Sequence, residues 1–162
     1  DVPVYVFHLM VALSRTRDAQ LERLLRGAGM NLAHHRALTV IIRFGPCTMS
    51  ELADFSAVDR TTLTRTVDQL VRNGWVDRRG APDDRRRVQL TITEAGQVAA
   101  AQARDIVARH NAEILEGVPE TLLRAMVTAE RMMIANISSP EMTHRLRTLT
   151  RPEDKGHPPA ND

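Results

Sequence analysis

The sequence predicts a mainly α fold with a small β-hairpin wing, a winged helix-turn-helix plus a helical dimerisation region. Three observations predict it. Residues 48–96 run through a short capped helix, a second helix with an Arg/Thr outer face, an apolar strand, an arginine-loaded turn and a returning strand. Apolar residues make up 43% of the 162-residue chain but aromatics only 3%, so Leu, Val, Ile, Ala and Met must do the packing, which favours helix on helix. Charge is also clustered. Residues 60–87 hold eight arginines and four aspartates, a local excess of +4 against +2 for the whole chain, so the remainder is net acidic. A general preference for Arg over Lys, with Lys155 the only lysine, explains the residue type but not the clustering.

The first helix is expected from Val4 to about Arg26, with apolar residues at Val6, Leu9, Met10, Leu13, Leu21, Leu24 and Leu25 around a polar middle. Gly27-Ala28-Gly29 ends it. Asn31 can cap a second helix carrying Leu32, Leu38, Ile41 and Ile42, which Gly45-Pro46 stops. Thr48-Met49-Ser50-Glu51 has the form of a capping box, and a short helix follows with Leu52 and Ala53 inward. Asp59 or Ser56 can cap the next helix, which runs to about Asn73 before Gly74 supplies a left-handed stop. Trp75-Val76-Asp77-Arg78-Arg79 and Arg87-Val88-Gln89-Leu90-Thr91-Ile92 then flank Gly80-Ala81-Pro82-Asp83-Asp84, the pattern of a hairpin. Thr93 caps a helix from Glu94 to about Glu116, Val118-Pro119 breaks it, and a last helix runs from Glu120 to about Ile137. Beyond Pro140 the helical signal weakens, and residues 151–162 read as a flexible tail.

Cys47 is the only cysteine, so no intramolecular disulfide can form. No apolar run approaches the ~20 residues that span a bilayer, and the start lacks a secretory pattern, so the cytoplasm is the expected compartment and no membrane partner is expected.

On a helical wheel, Leu63, Val67, Leu70 and Val71 share one arc, while Thr61, Arg65, Asp68 and Arg72 fall opposite. In a helix-turn-helix the N-terminal part of that exposed face enters the major groove of duplex DNA. Thr61, Thr62 and Arg65 are therefore the base-contact candidates, with Arg60 and Thr64 beside them and Arg72 reaching only backbone. Arg65 is the foremost, because a guanidinium binds guanine O6 and N7 bidentately. Arg85, Arg86 and Arg87 repel one another, a cost that a polyanion relieves, and Asp84 is expected to stiffen the turn by pairing with one of them.

Over nearly all of residues 1–140 the chain resembles the MarR family of winged-helix regulators. The resemblance is carried by Met49-Ser50-Glu51-Leu52-Ala53, by Thr61-Thr62-Leu63-Thr64-Arg65-Thr66-Val67-Asp68-Gln69-Leu70 with Gly74-Trp75-Val76, and by Pro82-Asp83-Asp84-Arg85-Arg86-Arg87 followed by Thr93-Glu94-Ala95-Gly96. Family members usually have Leu-Thr before the final Glu-x-Gly, where this chain has Ile92-Thr93, a conservative departure. The resemblance implies one domain over residues 1–150, with residues 31–93 as the DNA-binding lobe and residues 1–30 and 94–150 as the helical dimerisation lobe. It also implies a homodimer that presents two winged helices to a palindromic operator in double-stranded DNA.

By the same resemblance the protein is a ligand-responsive regulator, a repressor released by a small aromatic or phenolic acid, and it needs no cofactor. Residues that could line the effector cleft are His8, Arg15, His34, His35 and Arg36, with Arg15 placed to meet a carboxylate. Oxidation of Cys47 and metal binding are alternative triggers for the same fold. Adjacent helical residues such as His34 and His35 point ~100° apart and do not readily chelate one ion, so no metal ligands are assigned. A different class would be an enzyme, or a helical interaction module without DNA affinity. No Gly-rich phosphate loop, Cys/His cluster or placed Ser/His/Asp set supports an enzyme.

Overall fold

The computed structural model describes residues 2–80 and 88–149, and the chain divides into two compact units, residues 1–116 and 117–162. The first unit holds helices α1 (Val2–Arg26), α2 (Leu32–Phe44), α3 (Met49–Phe55) and α4 (Arg60–Arg72), strands β1 (Val76–Gly80) and β2 (Val88–Ile92), and helix α5 (Glu94–Ile114). The second holds α6 (Glu120–Ile137) and α7 (Pro140–Leu149). No helix among the described residues is long and apolar enough to cross a membrane.

The starts of α2, α3, α4 and α5 are each satisfied by a side chain, which is why those boundaries fall where they do. Asn31 Oδ1 accepts from the His34 amide at 2.8 Å. Just ahead of that turn, Glu22 near the end of α1 accepts from the Leu32 amide at 2.8 Å, and this bond holds its carboxyl below the usual carboxylate range. The capping box forms as the sequence predicts: the Glu51 amide donates to Thr48 Oγ1 at 3.3 Å and the Thr48 amide to Glu51 Oε2 at 2.8 Å. Of the two residues that could cap α4, Asp59 does so, accepting from the Thr62 amide at 2.9 Å, while Ser56 is buried at the end of α3.

The core is aliphatic. Leu21 and Leu25 of α1, Leu38 and Ile41 of α2, Leu52 of α3 and Leu63, Val67 and Leu70 of α4 are all fully enclosed. From α5 the inward residues are Ala99, Ala100 and Ala103, whose small size lets that helix come close to its neighbours. Ile42 and Val71 sit at the edge of this core rather than inside it.

Strands β1 and β2 pair antiparallel with Val76 opposite Ile92 and Gly80 opposite Val88. A third short segment joins them. The Cys47 amide donates to the Leu90 carbonyl at 3.2 Å and the Leu90 amide to the Cys47 carbonyl at 2.8 Å, which fastens the entry of α3 to the wing. At the wing root the Thr93 amide donates to the Trp75 carbonyl at 3.0 Å and the Thr93 hydroxyl to the Gly74 carbonyl at 2.6 Å.

One expectation is corrected. The helical signal is read as fading beyond Pro140, yet α7 spans Pro140–Leu149. Pro140 is the first residue of that helix, where its missing amide costs nothing, and Ser139 Oγ accepts from the Met142 amide at 3.2 Å. The expected tail, residues 151–162, lies outside the described residues.

Gly96 has a steric reason that sequence alone does not reveal. A Cβ there would lie 2.0 Å from the Trp75 carbonyl oxygen and 2.9 Å from an Ile92 side-chain carbon. The Trp75 carbonyl is fixed by its bond to Thr93, so Gly96→Ala is expected to destabilise the fold by at least ~2 kcal/mol, read as a shift in urea midpoint at constant slope.

Candidate nucleic-acid interface

Burial of Leu63, Val67 and Leu70 leaves the opposite face of α4 in solvent, and Arg60, Thr61, Thr62, Thr64 and Arg65 are all exposed there. They occupy the first two turns, the end at which the helix dipole is positive. Asp59, at the same end, is held below its ordinary pKa by its hydrogen bonds with Thr62. Thr64 Oγ1 donates back to the Arg60 carbonyl at 3.2 Å, which leaves its oxygen lone pairs outward as acceptors. Arg72 is also exposed, but in the last turn.

The wing is tied to this helix by an ion pair that the sequence reading does not single out. Arg78 Nη2 of β1 donates to Asp68 Oδ1 of α4 at 2.6 Å. Arg79 pairs locally with Asp77 at 2.9 Å. Among the described residues of the cluster, Arg78 and Arg79 are thus engaged within the protein. The wing-tip residues Arg85, Arg86, Arg87 and Asp84 lie outside the described residues.

The five expected effector residues do not form one site. His35 and Arg36 come together with residues of other helices. Arg36 Nη2 meets Asp18 Oδ2 at 2.7 Å, Arg17 lies 3.7 Å from the other Asp18 oxygen, and both Arg17 Nε and Nη2 donate to Asn111 Oδ1 at 3.1 and 3.0 Å. Burial, and then the charges of Arg17, Arg36 and Arg104, hold the His35 imidazole down to about 4, so it is neutral at pH 7. His34, one residue earlier, is buried and turned toward α4, where its Nε2 meets Gln69 Oε1 at 2.8 Å. His8 and Arg15 are exposed on α1, and Arg15 is ~200° around that helix from Arg17.

A cavity of about 320 Å³ lies between the end of α2, β2 and α5, and shares Arg104 with the charges that act on His35. Its walls include Ile41, Ile42, Pro46 and Ile92, with Gln97 and Arg104 as polar lining. This combination of apolar walls and few polar groups suits a small amphipathic molecule.

Cys47 is 2% exposed, and burial together with the charge of Glu51 pushes its thiol up to about 11, an environment that disfavours the reactive thiolate. Among the described residues no group of three or more His, Cys, Asp or Glu is placed to hold a metal ion.

The sequence profile described as MarR family matches residues 28–87. The multiple antibiotic resistance protein MarR of Escherichia coli is 30% identical over 99 residues, covering 61% of this chain and 69% of that protein. A MarR-family transcriptional regulator from Silicibacter pomeroyi superposes with a TM-score of 0.75 at 22% identity, covering 87% of this chain and 95% of the other. BpsR of Bordetella bronchiseptica, whose DNA binding is regulated by 6-hydroxynicotinic acid, superposes at 0.71 with 19% identity over 83% and 94% of the chains.

Two measurements check this electrostatic picture. By NMR, the His35 ring is expected to stay neutral down to about pH 4, and a midpoint near 6.5 would contradict its enclosure. The unfolded chain takes up that proton near 6.5 while the folded one resists, so His35 lowers stability progressively as pH falls from 6.5 toward 4 and contributes nothing to pH dependence above 6.5. At pH 8 a disulfide reagent should modify Cys47 at least ~100-fold more slowly in the native protein than in the unfolded chain.

Proposed function

We propose, from the premise that this chain belongs to the MarR family of transcriptional regulators, that it is a repressor which binds a palindromic operator as a homodimer and releases it when a small aromatic or phenolic acid binds. The observation that carries the DNA-reading part is the exposed first two turns of α4, where Arg60, Thr61, Thr62, Thr64 and Arg65 face outward over a buried Leu63, Val67 and Leu70. In this reading Arg65 recognises a guanine and the threonines read neighbouring base edges. Arg72 and wing residues Arg85, Arg86 and Arg87 meet phosphates or the minor groove, with Asp84 bracing the wing.

Dimerisation is supported by α1, whose Tyr5, Phe7, Leu9, Val11 and Leu13 are each more than half exposed, with Tyr5, Leu9 and Leu13 on one face of the helix and Phe7 and Val11 on the other, apolar area that is costly in water. Effector binding is supported by the His35, Arg36, Arg17 and Arg104 cluster, by an apolar cavity that Arg104 also lines, and by analogy with the 6-hydroxynicotinic acid response of BpsR. A carboxylate would meet guanidinium there while the ring occupies the Ile42 and Ile92 walls.

Substitutions separate the roles. Arg65→Ala is expected to cost ~1–3 kcal/mol of preference for the operator over random DNA while leaving non-specific binding in place; equal loss on all sequences would remove Arg65 from base reading. Arg86→Ala should weaken binding to every sequence and lower the salt slope by about 1, and unchanged affinity would show that the wing does not touch DNA.

A further inference from the structure

His34 is an uneconomical residue for its position. It is 7% exposed, its Nδ1 is buried without a hydrogen-bond partner among the described residues, and an unsatisfied buried polar atom carries a desolvation penalty that an apolar ring would avoid. Ser56 and His110 also carry such atoms, but among the described residues neither is hydrogen-bonded to α4. His34 differs in where its other nitrogen goes. Nε2 bonds Gln69 of α4 at 2.8 Å, and the ring stands edge-on to Trp75 at the wing root, with centroids 6.1 Å apart and planes at 89°.

The backbone of the same residue is anchored independently. Its amide is capped by Asn31, so the ring is rigidly attached to the first turn of α2. The next two residues in that turn, His35 and Arg36, belong to the cationic cluster, and Arg36 binds Asp18 of α1 at 2.7 Å. One helical turn therefore contacts α1 charges on one side and α4 with the wing root on the other.

We infer that His34 is a positioning residue, which transmits displacement of the first turn of α2 at the Arg36–Asp18 pair to the recognition helix through Gln69. This rests on reading the His35 and Arg36 cluster as the effector site. An anion that draws Arg36 from Asp18 shifts the turn; His34 moves with it, and Gln69 follows because its bond is directional. A phenylalanine in that place would fill the same space against Trp75 but could slide past Gln69 without an energetic penalty.

The test needs neither DNA nor effector. Hydrogen exchange of the full chain is measured for the unmodified protein, Arg36→Gln, His34→Phe and the double variant. Arg36→Gln breaks the Asp18 ion pair in place of an effector. It is expected to change exchange of the amides at residues 66–70 by about threefold or more when His34 is present, and to leave them unchanged in the His34→Phe background. Gln69→Leu removes the same bond from its other end and should block transmission in the same way, which keeps the test decisive if His34→Phe fails to fold. An equal change with and without the bond, or no change in either background, overturns the coupling. Failure of the regulator reading shows separately, as absence of DNA binding by the unmodified protein.

Discussion

The arrangement depends on one packing constraint, burial of the Leu63, Val67 and Leu70 face of α4 against the core. Sinking those three side chains is worth several kcal/mol at ~1.5–3 kcal/mol each, far more than any charge on the opposite face contributes. The helix cannot rotate without exposing them. Its Arg and Thr residues are consequently presented outward, and the Asp59 cap fixes which residue begins the face. The Asp68–Arg78 pair then references the wing to the same helix, and the Cys47–Leu90 bridge references it to α3.

This hierarchy explains what could be read from the sequence. Helix caps are local, so Thr48, Asp59 and Thr93 announce their helices through spacing alone, and the period of Leu63, Val67 and Leu70 announces the buried face. Long-range polar contacts carry no such signature. The His34–Gln69 bond spans 35 residues and the Arg36–Asp18 bond 18, so two adjacent histidines look equivalent in sequence while one faces α4 and the other the arginines. Pro140 misleads for a related reason: the same residue ends one helix or begins another, and only the Ser139 cap decides.

Cys47 carries a backbone role that its sequence position does not announce. A lone cysteine at the entrance to a helix-turn-helix invites a redox reading, yet its amide and carbonyl complete the wing sheet and its side chain is enclosed. The charged cluster around His35 is the opposite case. Arginines from α1, α2 and α5 act on one desolvated imidazole, the electrostatic feature on which the proposed anion site rests. Its neighbour His34 links that preparation to the helix whose outward face is set by the core.

The most direct test of the central claim is the affinity of the full chain for the intergenic DNA upstream of its own gene at two salt concentrations. In the proposed dimer, two wings and two recognition helices contacting six or more phosphates predict tight binding that falls by roughly a thousandfold between about 50 and 200 mM salt. Absence of binding at the lower salt, or affinity indifferent to salt, would contradict the assignment of α4 and the wing as a DNA-reading surface.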